Sequence, residues 1–301
     1  MRARAVLLSL ALVLVLAPPA TATFPGRNGL LAVAADTDSS SDTLYVGRLG
    51  GGGLRALPSP CPPGPPDPLW DTCVVDAPAW SADGTRLAFS SIRGSEAQLW
   101  IVDADGSDLH RVPGVNGFRP AWSPNGQRLA FSVDARDAQG CLFRDLYTVN
   151  ADGSGLSLLI RRADNPDWSV RGEIAFERER GYWTSGDGSE CALLASVFVM
   201  RPGGEPRRVA MNSGSPSWAP GGRTIAYVSR GGIRRKRIGA DGPGRLVRTH
   251  GAYELAWSPD GRFIVHRRSN RLGMMDARTG HRRPIGFDAP GIDFSVSWQA
   301  R

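Results

Sequence analysis

Long apolar runs are almost absent from this 301-residue sequence, and the one exception lies at its beginning. Arg2 and Arg4 precede an apolar run from residue 5 to residue 17, and Ala20 and Ala22 then form an A-x-A pattern. This order is typical of a secretory signal peptide, and the run is shorter than the roughly 20 residues that span a bilayer. We therefore expect residues 1–22 to be a cleaved signal peptide, and an uncleaved membrane anchor is the alternative.

Lysine and cysteine are scarce as well. Lys236 is the only lysine among 36 basic residues, a bias that reflects a GC-rich genome more often than a function. The formal charge of +7 is modest over this length, so it permits an anionic partner without requiring one. The chain has 4 cysteines, an even number, which in an exported protein predicts two disulfides rather than metal ligands.

The sequence after the signal peptide lacks the 3.6-residue apolar rhythm of helices. Short runs such as residues 86–90 and 98–103 instead alternate with a period of two. Asp83-Gly84 and Asn125-Gly126 stand between such runs, and tight hairpins need the positive φ that glycine supplies freely. The pattern predicts an all-β protein of antiparallel strands.

A tryptophan recurs through the chain at intervals of 39 to 50 residues, which is the spacing of propeller or solenoid repeats. Each unit reads as four short strands, A to D from the centre outward, which is one propeller blade. We expect each tryptophan to end strand A and to fill the wedge between neighbouring blades rather than to stack on a ligand. The six positions are Trp80, Trp122, Trp168, Trp218, Trp257 and Trp298.

The two ends of the chain complete each other. Residues 30–34, 43–47 and 53–57 read as strands B, C and D of a blade that has no tryptophan strand before it. Trp298 lies near the C-terminus with three residues after it, so its strand can supply the missing strand A. The prediction is a six-bladed β-propeller over residues 23–301, closed by the C-terminal strand, which leaves no exposed sheet edge.

The repeat resembles that of the TolB family, whose unit reads roughly P-x-W-S-P-D-G-x-x-I-A-F. The match is carried by residues 78–81 (PAWS), 120–124 (PAWSP) and 255–261 (LAWSPDG), and it covers about residues 29 to 301. TolB has an α/β domain before its propeller, whereas these repeats begin almost at the expected cleavage site. The resemblance therefore implies the propeller alone and not the partners of TolB. The fourth unit departs from the pattern, with a shortened turn after Trp168 and a long insert.

Catalytic motifs are missing too. No G-x-S-x-G occurs, so the nucleophile elbow of α/β-hydrolases is absent. We expect a secreted, monomeric and non-catalytic scaffold that binds a protein partner or an anionic cell-envelope polymer, with no cofactor. The alternative is a carbohydrate-active or metal-dependent enzyme whose site lies at the channel mouth near His250. The four histidines show no metal-ligand spacing; they are His110, His250, His266 and His281.

The sharpest charge cluster is the run at residues 233–238 (IRRKRI). Its cations are candidates for binding an anionic envelope polymer, although alternation along a strand would send them to both faces, as on an ordinary solvated strand. No aromatic residues are interleaved with them, so specific nucleic-acid recognition is not expected. The candidate binding residues are Arg234, Arg235, Lys236 and Arg237.

Propeller topology also predicts how the cysteines pair. Cys61 and Cys73 both lie in the proline-rich connection between blades one and two, where a local bridge would restrain the loop. Cys141 and Cys191 belong to the B–C inserts of blades three and four, which adjacent blades bring side by side. We predict the disulfides Cys61–Cys73 and Cys141–Cys191.

The same topology selects a binding face. Strands A and B join at one face of the disc, so the B–C loops and the D–A connections lie on the opposite face. The insert of blade four carries Tyr182 and Trp183, which are the candidate contact residues on that face. We expect a protein partner to bind there.

Overall fold

The computed structural model describes residues 25–36, 42–61, 73–94, 96–136, 142–180, 194–247, 252–268, 271–285 and 295–301. These residues form six four-stranded antiparallel sheets. No helix in this part of the chain is long and apolar enough to cross a membrane. The sheets are the six blades of a β-propeller, as the sequence predicts.

The strands are numbered along the chain, and each blade runs from its innermost strand to its outermost strand. Blade 1 contains β24 (Val296–Ala300), β1 (Asn28–Asp36), β2 (Asp42–Arg48) and β3 (Gly51–Ala56). Blade 2 contains β4 (Cys73–Trp80), β5 (Arg86–Arg93), β6 (Glu96–Asp103) and β7 (His110–Asn116). Blade 3 contains β8 (Phe118–Trp122), β9 (Arg128–Arg136), β10 (Leu142–Asn150) and β11 (Ser157–Ile160).

The second half of the disc repeats this order. Blade 4 contains β12 (Ala163–Trp168), β13 (Ile174–Arg180), β14 (Leu194–Met200) and β15 (Arg207–Ala210). Blade 5 contains β16 (Ser213–Trp218), β17 (Thr224–Ser229), β18 (Gly232–Arg237) and β19 (Arg245–Val247). Blade 6 contains β20 (Tyr253–Trp257), β21 (Phe263–Arg268), β22 (Arg271–Asp276) and β23 (Arg282–Arg283).

The C-terminal strand closes the ring. β24 pairs antiparallel with β1, and Trp298 stands opposite Leu31. Beyond the strand, the backbone groups of Arg27 and Arg301 exchange two hydrogen bonds of 2.7 and 3.0 Å. Blade 1 is therefore built from both ends of the described chain, which confirms the predicted closure.

The tryptophans fill the wedges between blades. Trp80 of blade 2 packs in one apolar cluster with Leu44 and Val46 of blade 1. Trp122 of blade 3 packs with Leu99 of blade 2, and its indole N–H donates to the carbonyl of Ala79 over 3.0 Å. Because a buried aromatic ring contributes a large apolar area to each interface, these residues hold neighbouring blades together.

The turn after each tryptophan explains the S-x-D-G string. In blade 2, the Ser81 hydroxyl donates to the carboxylate of Asp83 over 2.6 Å and accepts from the backbone N–H of Arg86 over 2.9 Å. Gly84 has a φ of 67°, which L side chains rarely adopt. Blades 3 and 6 repeat this arrangement with Ser123 and Ser258. The string therefore specifies the A–B hairpin.

The disulfide between Cys61 and Cys73 is present, with an S–S distance of 2.00 Å, and it confirms the first predicted pairing. Both cysteines are buried in the cluster that also holds Trp80. The bridge joins the chain just after blade 1 to the first residue of β4, so it anchors the connection between two blades. Cys141 and Cys191 lie outside the described residues, and their pairing stays a prediction.

Candidate functional site

The six inner strands line a central channel with two layers of side chains. The cavity has a volume of about 140 Å³. We name the layer nearer the B–C face the mouth ring; its members lie three residues before each tryptophan and are Ala77, Arg119, Asn165, Ser215, Glu254 and Ser295. We name the next layer the waist ring; its members directly precede each tryptophan and are Ala79, Ala121, Asp167, Ser217, Ala256 and Ser297.

A β-bulge aims the mouth ring into the channel. Five of its six members have a positive φ, between 41° and 55°, and the strand register shifts at each of them. A non-glycine residue in this region costs on the order of 1–3 kcal/mol, and such strain clusters at functional sites. Recurrence in five blades makes the bulge a constant feature of this channel, and the side chain at that position is what varies between blades.

Polar side chains satisfy the N–H groups that the bulges release from the strand ladder. The N–H of Ala77 donates to Asp76 over 2.6 Å, and the N–H of Asn165 donates to Asp164 over 2.7 Å. The N–H of Ser215 donates to Glu177 over 2.7 Å. The bulges therefore gather carboxylates around the channel mouth.

Asp164 is the centre of an ion network that joins blades 3 and 4. One carboxylate oxygen accepts from Arg119 over 2.5 Å and from Arg144 over 2.9 Å. The other oxygen accepts from the hydroxyl of Ser132 over 2.7 Å. Burial alone would raise the pKa of Asp164, but the charges of the two arginines outweigh it and hold the pKa below its ordinary value.

Glu177 and Glu254 lie beside this network, and their pKa values are shifted in the opposite direction from that of Asp164. Glu177 accepts from the side-chain amide of Asn165 over 2.9 Å as well as from Ser215, yet burial raises its pKa. Burial, followed by the charge of Asp76, also raises the pKa of Glu254. One Glu254 carboxylate oxygen is buried and has no hydrogen-bond partner among the described residues. The mouth thus holds an acceptor that no described group satisfies.

Asp167 is the only carboxylate of the waist ring. It accepts hydrogen bonds from the backbone N–H of Trp218, over 2.5 Å, and of Trp168. Burial raises its pKa to about 7. Ser297 occupies the equivalent position in blade 1 and accepts from the N–H of Trp80 over 3.2 Å. The waist therefore contains one group that changes charge near neutral pH.

No group of three or more His, Cys, Asp or Glu residues in the described ranges is arranged to hold a metal ion. Asp164 and Glu177 accept hydrogen bonds from arginine, amide and backbone donors instead. His266 lies buried on β21, and His250 lies outside the described residues.

The predicted contact residues have different outcomes. Tyr182 and Trp183 lie outside the described residues, although β13 ends and β14 begins at the mouth face.

Alternation along β18 splits the four cations. Lys236 turns toward blade 4, where its ammonium donates to the carbonyl of Val209 over 3.3 Å. Arg234 shares that face, whereas Arg235 and Arg237 alternate to the other face. The four do not form one patch.

Sequence reasoning missed the mouth ring. Its members share no residue type, so no motif marks them. Their signal is a fixed offset of three residues before the tryptophan, with a proline between the two in four blades, at Pro78, Pro120, Pro166 and Pro216. Reading residue types at that offset would have found Arg119 and Glu254.

The geometry defines a six-bladed propeller with a polar channel mouth, and its sequence matches one family of such propellers. The model of the TolB beta propeller domain matches residues 71–275. The chain therefore belongs to the TolB β-propeller family. A search of curated proteins finds no match.

Several solved structures share the fold. TolB from Acinetobacter baumannii is 17% identical with a TM-score of 0.69, over 91% of this chain and 67% of that chain. A chain of a nidogen/laminin complex is 13% identical with a TM-score of 0.63, over 90% of this chain and 98% of that chain. An oligogalacturonate lyase in complex with manganese is 14% identical with a TM-score of 0.52, over 81% of this chain and 70% of that chain. At these identities the similarity shows the fold and not the function.

Proposed function

We propose that this protein is an exported, non-catalytic propeller that binds a protein partner at the mouth face of its channel. The observation that carries the proposal is the mouth ring, where repeated strained bulges present polar groups to one opening and leave a Glu254 oxygen without a described partner. An unsatisfied buried acceptor is costly, and a donor brought by a partner removes that cost.

The size of the channel supports a macromolecular partner. A cavity of about 140 Å³ is below the range of about 300–1,000 Å³ of small-molecule sites. It has room for one side chain or a chain end, while the surrounding face supplies the rest of the contact. Propellers also occur in TolB and in a nidogen/laminin complex, and the second of these is an assembly of proteins.

Photo-crosslinking from two positions of one blade tests the proposal. Arg268 is exposed at the B–C end of β21, and Arg262 is exposed at the A–B turn of the same blade. A crosslinking amino acid at position 268 should trap one envelope protein, and Glu254→Arg should abolish that adduct while Glu254→Gln changes it less. The same group at position 262 is the matched control. Equal adduct yields from both positions would contradict binding at the mouth. An adduct yield that Glu254→Arg does not reduce would contradict it as well.

Export is part of the proposal. Residues 1–22 have the order of a signal peptide, and the Cys61–Cys73 disulfide is typical of oxidising compartments. N-terminal sequencing of the protein from its native envelope fraction should begin near Thr23. A chain that starts at residue 1 would instead support the membrane anchor.

Asp167 favours a second candidate, an enzyme with its site in the channel. A carboxyl group with a pKa of about 7 is suited to general acid–base work. The fold is also shared by an oligogalacturonate lyase in complex with manganese. Turnover of an acidic oligosaccharide that is lost in Asp167→Asn would favour the enzyme over the scaffold.

The cations of strand β18 suggest an anionic envelope polymer as another ligand of the scaffold. If Arg234, Arg235, Lys236 and Arg237 hold an anionic polymer, binding should weaken steeply with added salt, because neutralised charges release counterions. Replacement of all four by glutamine should remove the salt dependence. Polymer binding that persists at high salt would argue against this role.

A further inference from the structure

A cleft on the rim of the disc, far along the blades from the channel, has the form of a second site. It lies between the outermost strand of blade 4 and the third strand of blade 5, and its volume is about 280 Å³. This value is close to the lower end of the range for small-molecule sites, about 300 Å³. The cleft is lined by Arg208, Val209, Ala210, Met211, Tyr227, Ser229, Arg234 and Pro243.

The polar part of the cleft is cationic. Arg234 is held in place by two hydrogen bonds, one from Nε to the hydroxyl of Ser229 over 3.1 Å and one from Nη1 to the carbonyl of Gly244 over 3.0 Å. These contacts fix its guanidinium and leave Nη2 without a bond to any described residue. Arg208 forms no ion pair with the described residues and lines the same space. Two arginines therefore line one cleft, and the guanidinium of Arg234 is already oriented.

The rest of the lining is apolar. Met211 is 62% exposed, the highest value among the exposed large hydrophobic residues of the described chain. The ring of Tyr227 is buried, and its hydroxyl donates to the carbonyl of Pro243, so that this hydroxyl presents no free donor to the cleft. Val209 and Pro243 complete an apolar wall beside the arginines. An exposed flexible thioether next to such a wall is typical of adaptable binding surfaces.

We propose that the cleft between blades 4 and 5 binds a small amphipathic anion, namely a carboxylate on an apolar body of about eight carbon atoms. The carboxylate lies between Arg208 and Arg234, where the planar guanidinium donors match its two oxygens. The apolar body covers Met211, Val209 and Pro243, and its burial supplies the remaining affinity. This site is separate from the channel mouth and does not depend on the proposed protein partner.

Calorimetric titration of the full mature protein with octanoate tests the proposal. Three further ligands separate the two parts of the recognition: acetate carries the charge alone, octanol the apolar body alone, and octylammonium the opposite charge. Octanoate should bind at one site, and the other three should bind at least tenfold more weakly, because each lacks one half of the contact or reverses it.

Two variants of the cleft and one matched control locate the site. Arg234→Gln and Arg208→Gln should each weaken octanoate binding about tenfold, as expected for loss of a charge-assisted hydrogen bond. Arg223→Gln removes one charge from an exposed turn of the same blade, outside the lining of the cleft, and should leave the affinity unchanged. Met211→Gln, at an exposed position, should weaken octanoate without affecting acetate.

Several outcomes would overturn the proposal. Absence of octanoate binding at millimolar concentration is one, and equal binding of octanol is another. A loss in Arg223→Gln as large as in Arg234→Gln would show attraction to net charge rather than to a site. Circular dichroism of each variant shows whether it is folded, and the exposed position of Met211 makes its variant informative even if an arginine variant unfolds.

Discussion

The carboxylate of Asp167 in blade 4 accepts a hydrogen bond of 2.5 Å from the backbone N–H of Trp218 in blade 5. The contact links two inner strands across the waist of the channel, at the position where blade 1 uses the hydroxyl of Ser297 to reach Trp80. A carboxylate is a stronger acceptor than a hydroxyl but loses more hydration on burial. A neutral acceptor, the hydroxyl of Ser297, makes the equivalent contact in blade 1, so the contact does not require a charge. Burying the charge of Asp167 therefore costs free energy that the contact does not need.

That cost predicts the pH dependence of stability. The pKa of Asp167 is about 7 in the folded chain against an ordinary value of 3.8. The folded state therefore retains a proton that the unfolded state releases, and this stabilisation is complete below about pH 4 and is lost as pH rises through 7. Asp167→Asn should raise the free energy of unfolding by about 1–3 kcal/mol at pH 8 and by much less at pH 5.

Urea unfolding at both pH values measures this effect. Ser297→Ala is the matched control, because it removes a neutral acceptor from the same ring and should cost about 1 kcal/mol at either pH. An Asp167→Asn variant that is less stable than the wild type at pH 8 would mean that the carboxylate charge stabilises the channel.

The Cys61–Cys73 bridge should contribute to stability through the unfolded state. It closes a segment with a sequence separation of 12, and a loop of this size corresponds to about 3 kcal/mol of lost chain entropy. The double variant Cys61→Ala/Cys73→Ala should lose about this much free energy of unfolding, which urea unfolding shows as a lower midpoint. Wild-type protein treated with reductant should approach the variant, and a variant as stable as the oxidised wild type would show that the bridge contributes nothing.

The pairing of Cys141 with Cys191 can be decided by peptide mapping without reduction. The described strands that flank the two positions, β10 and β14, begin at the same face of neighbouring blades. A linked peptide pair containing both cysteines is expected. Free thiols at both positions would remove the predicted tie between the inserts of blades 3 and 4.

The repeat unit was predictable because its elements are local. Trp80, the hydroxyl of Ser81 and Gly84 act within one hairpin, so their spacing survives as a readable string. Ring closure was predictable for another reason: the strand near Trp298 lacked a hairpin partner, and the first blade lacked an inner strand. Strand count and alternation were sufficient for the fold.

The sites were not predictable in the same way. Asp164 meets Arg119 across 45 residues, and Met211 and Arg234 line one cleft only because blades 4 and 5 pack side by side. Such contacts depend on how adjacent blades are rotated, which no local pattern encodes. The division of the cations at residues 234–237 between two faces of β18 was predictable, because it follows from the two-residue period of a strand.

His266 should destabilise the protein in acid. Its side chain is 5% exposed on β21, and it lies opposite Gly273, where a Cβ atom would approach the imidazole to 2.4 Å. Burial, followed by the charges of Arg282 and Arg268, lowers its pKa. The unfolded chain therefore takes up a proton that the folded chain excludes. Stability from this group is complete above about pH 6.5 and is lost as pH falls below it.

His266→Gln should reduce the difference in stability between pH 7.5 and pH 5.5. Asp167 acts in the opposite direction over the same range, so the comparison is made between the single variant and wild type at each pH. His110 is partly exposed, and His110→Gln serves as the control. If both histidine variants change the pH dependence equally, burial of His266 is not the cause.

The C-terminal strand should be indispensable for cooperative unfolding. β24 pairs with β1 and places Trp298 in a cluster with Leu31 of blade 1 and Val265 of blade 6. The side chain of Gln299 also accepts from the N–H of Leu30 over 2.9 Å and donates to the carbonyl of Gly84 over 2.6 Å, so it joins blades 1 and 2. Removal of residues 291–301 uncovers the edge of β1 and leaves blade 1 without its inner strand, so we expect aggregation or a broad, non-cooperative thermal transition.

A circular permutant separates the loss of this strand from the loss of chain length. Gly26 lies against the backbone of Arg301, so a short linker can join the C-terminus to residue 25 while the new termini open between residues 285 and 291. The permutant keeps every blade contact and should melt cooperatively near the wild-type temperature. If the truncated protein melts like the wild type, or if the permutant is as unstable as the truncation, closure by β24 does not hold the ring together.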